Sequence, residues 1–314
     1  WSALATKTPT AEAAFRGRNG RIAFSAGQYV DPVPGGSPPG YGQVRDYDIF
    51  TISPGGSALQ QVTEGEFTDA LPAWSPDGRR IAFARADAGS LFEYDIYVVD
   101  ADGGSPIRLT NTPEYRDWEP AWSPDGSKIV FRSDRAAPEI ATRPLFDFWE
   151  GDLFVMNADG SDVVQLTSGP DFELMPSWSP DGACIAFADI NHDAIGPIRP
   201  DGTDKHVVST DTHGGYAPEW SPDGTRIAYA RIRGAGTDDV MVIDLRTEKV
   251  TNLTEDEAID RWPVWSPDGR YISFVSDRSE AWALYRMDAD GKNLIRLVNI
   301  DLPGDAPIDW EPRP

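Results

Sequence analysis

The five-residue string WSPDG occurs five times in this chain, and no other feature constrains its fold as strongly. Pro presets φ at the entry of a tight turn, Asp hydrogen-bonds the nearby backbone, and Gly adopts a positive φ. The Trp supplies a large apolar surface for packing against a neighbouring unit. We therefore interpret the motif as structural, with the period of β-propeller blades that carry loop insertions. The copies begin at intervals of 48, 56, 42 and 45 residues, at Trp74, Trp122, Trp178, Trp220 and Trp265.

Each copy continues with the same succession of short β-type segments. An apolar run such as IAF at 81–83 follows the turn, and a second run such as DIYVVDADGG at 95–104 comes next. A third run often ends in Leu-Thr, as at 109–110, and a proline stands two residues before the next motif tryptophan. Pro-Asp-Gly and Ala-Asp-Gly are typical of tight hairpin turns. The pattern predicts four antiparallel strands per repeat.

The sixth copy is divided between the two ends of the chain. Residues 308–312 (IDWEP) resemble the first half of the motif, and residues 19–24 (NGRIAF) resemble the second half. We therefore predict that the last strand pairs with the first and closes a ring, which removes the exposed edges of an open array. The predicted fold is an all-β, six-bladed β-propeller. Residues 1–18 form a tail, residues 19–314 form one domain, and the closing blade combines 306–312 with 19–63.

WSPDG followed by IAF, then FVMNADG and LT, resembles the repeat of TolB-type six-bladed β-propellers. The resemblance covers residues 19–314 and is specific for the fold. It is less specific for function, because similar propellers serve as docking modules, as substrate gates of prolyl oligopeptidase-like enzymes and as scaffolds of oligogalacturonate lyases. The lyases hold a metal with several histidines, but this chain has three histidines in all. Their metal site is therefore not carried over.

Composition narrows the classes of partner. The formal net charge is −23, which repels phosphate backbones and argues against nucleic acid. No apolar run approaches the roughly 18 residues that span a membrane. The single cysteine, Cys184, excludes an internal disulfide, and it lies beside a motif turn, where we expect no functional role. The resemblance implies a periplasmic, cell-surface or secreted protein.

The two faces of the predicted propeller differ in their loops. The Pro-Asp-Gly and Ala-Asp-Gly turns lie on one face and leave little room for a site. The other face carries the longest insertions, at 25–47 and 133–151. Long loops on a rigid scaffold are where binding usually resides. We therefore expect the ligand at the channel mouth on this loop-rich face.

An acidic residue stands five positions before the motif tryptophan in most blades, and these residues should ring the channel mouth. Three interpretations are open: each acid hydrogen-bonds its own connection, the ring binds a cation such as Ca²⁺, or it docks a basic partner segment. Glu119, Asp171 and Asp309 lie close to the ring in sequence. The ring acids and candidate metal ligands are Asp69, Asp117, Glu173, Asp260 and Asp305, and Gly215 replaces the acid in the remaining blade.

The blade with Gly215 breaks the pattern and adds His213, while the preceding blade has an irregular loop with His192. Both histidines are expected on the loop-rich face, and His206 is not. Trp, Tyr and Arg are frequent anchors of protein interfaces. The predicted binding residues, besides the ring acids, are Trp118, Glu119, Trp149, His213, Tyr216, Arg261 and Trp262.

These features favour a non-catalytic module that docks a protein or peptide of the cell envelope, with a carbohydrate as another candidate ligand. The alternative is a carbohydrate-active enzyme, either a polysaccharide lyase or a glycoside hydrolase, that uses channel-mouth carboxylates. Its candidate pairs are Asp117 with Glu119 and Asp171 with Glu173. No catalytic residue is assigned.

Overall fold

The computed structural model describes residues 18–27, 47–87, 93–113, 115–136, 151–210, 214–233, 236–279, 281–298 and 307–313. Within these ranges the regular structure consists of β-strands and one 3-10 turn at Ile190–His192. The strands form six four-stranded sheets whose neighbouring strands are antiparallel. The predicted all-β, six-bladed architecture is confirmed.

The first five blades each use four consecutive strands, innermost first. Blade 1 contains β4 (Phe67–Trp74), β5 (Arg80–Asp87), β6 (Tyr94–Asp100) and β7 (Ile107–Arg108). Blade 2 contains β8 (Asp117–Trp122), β9 (Lys128–Ser133), β10 (Asp152–Asn157) and β11 (Val164–Gln165). Blade 3 contains β12 (Glu173–Trp178), β13 (Ile185–Asp189), β14 (Ala194–Ile198) and β15 (Ser209–Thr210). Blade 4 contains β16 (Gly215–Trp220), β17 (Arg226–Ile232), β18 (Asp238–Asp244) and β19 (Val250–Asn252). Blade 5 contains β20 (Asp260–Trp265), β21 (Tyr271–Ser276), β22 (Ala283–Asp288) and β23 (Ile295–Arg296).

Blade 6 joins the two ends of the chain. Its innermost strand is β24 (Ile308–Arg313), followed outward by β1 (Arg18–Gly27), β2 (Tyr47–Ile52) and β3 (Gln60–Gln61). Trp310 is paired with Ile22, and Ile308 with Phe24. Trp310 is 3% exposed and therefore takes the place of a motif tryptophan. The predicted closure of the ring is confirmed.

The core lies between the blades, where each motif tryptophan packs on the preceding sheet. Trp74 of blade 1 shares a buried cluster with Ile49 and Val62 of blade 6. Trp122 of blade 2 packs in the same way against Ile96 of blade 1. Burial of such a side chain removes a large apolar area from water at both surfaces. The motif tryptophan therefore joins neighbouring blades, as the sequence predicted.

The first motif turn shows why its residue types recur. The Ser75 hydroxyl donates to an Asp77 carboxylate oxygen at 2.6 Å and accepts the Arg80 backbone N–H at 2.9 Å. Gly78 has φ +67, and a Cβ at this residue would lie 2.9 Å from the carbonyl oxygen of Pro312. Glycine is therefore required both by its positive φ and by the close approach of the chain's end.

Candidate functional site

The four ring acids that the structure describes are buried at the start of their inner strands. Each has 0% or 1% relative exposure. A cation from the same blade holds each carboxylate. Arg135 and Arg278 each contact both oxygens of their partner, at 2.7 and 2.8 Å respectively. Arg85 makes a two-point contact at 2.6 and 2.7 Å. The pairs are Asp69–Arg85, Asp117–Arg135, Glu173–Lys205 and Asp260–Arg278.

These ion pairs bear on the predicted role of the ring acids in binding a cation. The cation prediction assumed crowded carboxylates without compensation, whereas the four described members have basic partners. Asp305, the fifth acid, lies outside the described residues, as do His213 and Trp149. The calcium prediction stays a prediction, and its electrostatic reason is not met at these four positions.

Trp118 and Glu119 of β8 separate into different environments. Trp118 is 9% exposed, stacks on Tyr94 with ring centroids 5.5 Å apart, and lies beneath the Arg132 guanidinium at 4.3 Å. Glu119 lies 3.3 Å from Arg132 and accepts the Met175 backbone N–H at 2.7 Å. Trp118 is thus a packing residue, whereas Glu119 reaches the central channel.

Tyr216 and Arg261 converge on one buried carboxylate. The Tyr216 hydroxyl donates to Asp238 at 2.8 Å, and Arg261 Nε donates to the same carboxylate at 2.6 Å. Burial and the Asp238 charge raise the pKa of the Tyr216 hydroxyl far above its usual value. Trp262 contacts Tyr216 edge to face at 6.0 Å and lines the channel. This network joins blades 4 and 5, and only Trp262 of the three predicted binding residues lines the cavity.

A cavity of about 260 Å³ occupies the central channel. Its wall is built by the inner strands, and the ring acids at the start of those strands are not part of it. In five blades the residue three positions before the motif tryptophan is left-handed, with φ between 50° and 61°. The strand register shifts at this point. These residues are Leu71, Glu119, Met175, Ala217 and Trp262, and Pro307 takes the position in blade 6.

The cavity extends to the prolines of the motif turns. The short turns predicted little room on the turn face. In the structure the prolines of the five motif turns and Pro312 of β24 line the channel wall; the turn prolines are Pro76, Pro124, Pro180, Pro222 and Pro267. The motif tryptophans also line the cavity. The prolines of several turns therefore line one cavity together, although each turn alone is too short to form a site.

Three carboxylates line this cavity, and two of them, Glu219 and Asp309, each stand one residue before a motif tryptophan. Asp309 accepts the backbone N–H groups of Trp74 and Trp310 at 2.6 and 2.8 Å, but burial raises the pKa of its carboxyl to about 7. Burial and the Asp309 charge raise the pKa of Glu219 to about 8, against a hydrogen bond from Ser177. From the sequence, Asp309 was expected only as a neighbour of the ring acids, and Glu219 was not predicted. The available signal was an acid at a position where the other blades have Ala73, Ala121, Ser177 and Val264.

Most motif tryptophans bury an unpaired polar group. The indole N–H groups of Trp74, Trp122, Trp220, Trp265 and Trp310 are buried and have no hydrogen-bond partner within the described ranges. Trp178 differs, because its indole N–H donates to the Ala121 carbonyl at 3.2 Å. The channel wall therefore combines tryptophan and proline rings with three carboxylates.

A separate group of potential metal ligands lies on blade 3. Of the residues that the structure describes, Asp171, Asp189 and His192 each bring one ligand atom to within 4.8 Å of the others. His192 lies between β13 and β14 on the loop-rich face, as predicted. His206 lies between β14 and β15 at the other face, also as predicted. Cys184 is buried at 6% exposure beside its motif turn, and burial raises the pKa of its thiol.

No helix in the described part of the chain has the length and apolar character needed to cross a bilayer. The profile of one protein family, described as the TolB beta propeller domain, matches residues 46–141 and 149–302. A TolB homologue of Chlorobium chlorochromatii is 34% identical over 128 residues, which are 40% of this chain and 29% of that protein. The match thus spans less than a third of that relative's length.

Solved structures show the same fold. TolB from Acinetobacter baumannii superposes with a TM-score of 0.72 at 19% identity, over 96% of this chain and 68% of the other. A putative TolB from Agrobacterium tumefaciens gives a TM-score of 0.63 at 18% identity, over 95% of this chain and 100% of the other. At these identities the likeness concerns the fold alone.

Proposed function

Because the chain belongs to the family of TolB β-propeller domains, we propose that it is a non-catalytic binding module whose central channel receives a segment of a protein or peptide. The observation that carries the proposal is the channel cavity, with Glu219 and Asp309 in its wall. Family membership supports a protein-interaction role, and the choice of ligand rests on the chemistry of the wall.

The size and the lining of the cavity are compatible with a short segment of a partner chain. Its volume of about 260 Å³ lies just below the ~300–1,000 Å³ of ordinary small-molecule pockets. Rings of tryptophan and proline contact apolar and extended surfaces well, since both are rigid and lose little entropy on binding. A few side chains of an inserted segment fit such a space.

The charge of the wall favours a basic segment. In the described structure no basic side chain pairs with Glu219 or Asp309, unlike Glu119, which lies beside Arg132. A lysine or arginine of the ligand would stabilise their ionised forms in a site of low polarity. The formal charge of −23 adds long-range attraction for the same ligand.

The enzyme alternative is not favoured by any specific observation. Asp117, the first member of its leading pair, is buried against Arg135, and Glu173 of the second pair is held by Lys205. A glycoside hydrolase needs one carboxyl to donate a proton and another to attack or activate water beside the substrate. Carboxylates that are fixed beneath basic side chains do not offer this arrangement.

The proposal includes an extracytoplasmic location, periplasmic or at the cell surface, which rests on the likeness to TolB homologues. The partner would then be an envelope protein that presents a basic segment. Calcium and carbohydrate have no supporting contact among the described residues, and we leave both outside the proposal.

A peptide array tests this function directly. Extended peptides of basic, neutral and acidic composition are presented to the wild-type protein at pH 9, where Glu219 and Asp309 are mostly ionised. We expect retention of basic peptides, and a loss of about tenfold or more in affinity for Glu219→Gln, since a buried charge pair is broken.

The matched control is Glu248→Gln, an exposed acid of the same blade. It removes the same charge from the molecule and should leave binding unchanged. If both variants weaken peptide binding equally, the effect is due to net charge. If Glu219→Gln retains basic peptides as well as the wild type does, the ligand binds outside the channel. Either result contradicts the proposed site.

A further inference from the structure

Blade 3 differs from the others at its ring acid. Glu173 is paired across the strands with a second acid, Asp189. The residues that face the ring acid in blades 1, 2 and 5 are basic or neutral, namely Arg85, Ser133 and Ser276. Blade 3 therefore places two carboxylates where the other blades place one.

The basic partner in blade 3 does not balance this charge. Lys205 Nζ pairs with Glu173 and also lies 3.7 Å from an Asp171 oxygen, so that one ammonium group serves several acids. Glu173 and Asp189 are 1% and 2% exposed, so water screens them little. Burial and the Glu173 charge raise the pKa of neighbouring Asp152 to about 6. The cluster thus retains negative charge that one lysine does not neutralise.

A second observation is that Lys205 satisfies only one of the two Glu173 oxygens. The Oε2 atom of Glu173 is buried and has no hydrogen-bond partner in the described structure. Its carboxylate shares Lys205 with Asp171, and therefore belongs to the same cluster. A buried carboxylate oxygen without a donor is costly unless a cation lies near it.

The ligand atoms are held close together on short, fixed segments. His192 Nδ1 lies 3.0 Å from both oxygens of Asp189 and 3.9 Å from Asp171 Oδ1. Asp189 ends β13 and also accepts the His192 backbone N–H at 3.2 Å, which fixes the 3-10 turn. Asn191 accepts the Phe172 N–H at 2.9 Å and so ties the turn to the segment that carries Asp171.

We propose that Asp171, Asp189 and His192 bind a divalent cation of the Zn²⁺ class. One imidazole nitrogen with two carboxylate oxygens is a ligand set that suits Zn²⁺ and related ions, whereas Ca²⁺ prefers oxygen throughout. Zn²⁺ sites with three protein ligands keep a further position open. The bound ion would also add positive charge to the cluster of acids that shares Lys205.

The test is calorimetric titration of the EDTA-treated, dialysed full chain with ZnCl₂. We expect one saturable site, with affinity reduced about tenfold or more in His192→Ala and in Asp171→Asn. His206→Ala is the matched control, because His206 is also near an acid, Asp204, but at the other face. The same titration with CaCl₂ should give no comparable binding.

Co²⁺ supplies a second readout that does not depend on stability. Coordination by His192 predicts a visible absorption band on Co²⁺ addition, present in the wild type and in His206→Ala and absent in His192→Ala. Lys205→Gln should bind Zn²⁺ at least as tightly as the wild type, since it removes a competing cation. Absence of saturable Zn²⁺ binding, or binding that His192→Ala leaves unchanged, would overturn the proposal.

Discussion

At the scale of single residues, the acids that mark the start of the inner strands are structural anchors. Asp69 is fully buried, and Arg85 holds both of its oxygens from the facing position of β5. Removing one partner of a buried pair leaves the other charge uncompensated. We expect Asp69→Ala to lower the free energy of unfolding by about 3–5 kcal/mol, measured by urea denaturation.

The control for Asp69 is Asp102, which pairs with Arg21 at 3.2 Å but has a side chain that is 90% exposed. Asp102→Ala should leave the urea midpoint within error of the wild type, because solvent already screens that pair. Similar losses in the two variants would show that the buried pair adds nothing beyond a surface contact.

The acids could be predicted from the sequence, but their partners could not. A fixed distance to the motif tryptophan marks Asp69, Asp117 and Asp260. Their arginines lie 16 or 18 residues later and come close only through the register of the second strand. The prediction of a cation followed from seeing one half of each pair. Register-based pairing along β5 could have found Arg85, since it directly faces Asp69.

At the scale of the blade, the recurring threonine of the sequence pattern anchors the outermost strand. These strands pair over only two or three residues, so pairing alone holds them weakly. In four blades the threonine hydroxyl accepts a backbone N–H of the third strand at 2.9 Å. The pairs are Thr63 with Ile49, Thr110 with Ile96, Thr167 with Leu153, and Thr254 with Val240.

Thr63 offers the simplest test of this anchor. Thr63→Val keeps the side-chain volume but leaves the buried Ile49 N–H without its acceptor, which should cost about 1–2 kcal/mol in unfolding free energy. Hydrogen exchange at Ile49 should accelerate in the same variant. Thr63→Ser retains the hydroxyl and should preserve protection of that amide, and slow exchange in Thr63→Val would contradict the role.

At the scale of the molecule, the repeat predicts the features that all blades share but does not predict how individual blades differ. Five copies of one turn and a divided sixth were enough to predict the ring and its closure through Trp310. The channel carboxylates occur in blades 2, 4 and 6 only, and the blade 3 cluster in one blade. Because a site of this kind depends on residues that several distant strands bring together, the spacing of the motif carries no information about it. The mouth residues Asp305, His213 and Trp149 remain predictions.

The channel carboxylates also give the whole ring a pH dependence. Burial raises the pKa of Glu219 from 4.5 to about 8 and that of Asp309 from 3.8 to about 7. Between about pH 4 and pH 8 these two groups therefore hold more protons in the folded protein than in the unfolded chain. Their contribution to the free energy of unfolding then falls as the pH rises through this window, because ionisation is disfavoured in the channel.

We expect Glu219→Gln to reduce this pH-dependent decrease in the free energy of unfolding. The wild type and the variant are unfolded in urea at pH 5 and at pH 9, and the difference between the two pH values is compared. The decrease should be smaller in the variant by about 2–3 kcal/mol, allowing for partial solvent access along the channel. Glu248 is an exposed acid of the same blade, and in Glu248→Gln the free energy of unfolding should decrease between the two pH values as it does in the wild type.

Parallel pH profiles for Glu219→Gln and the wild type would mean that Glu219 is ionised in the fold at neutral pH. The channel would then hold a permanent negative charge, and basic peptides should bind as tightly at pH 6 as at pH 9.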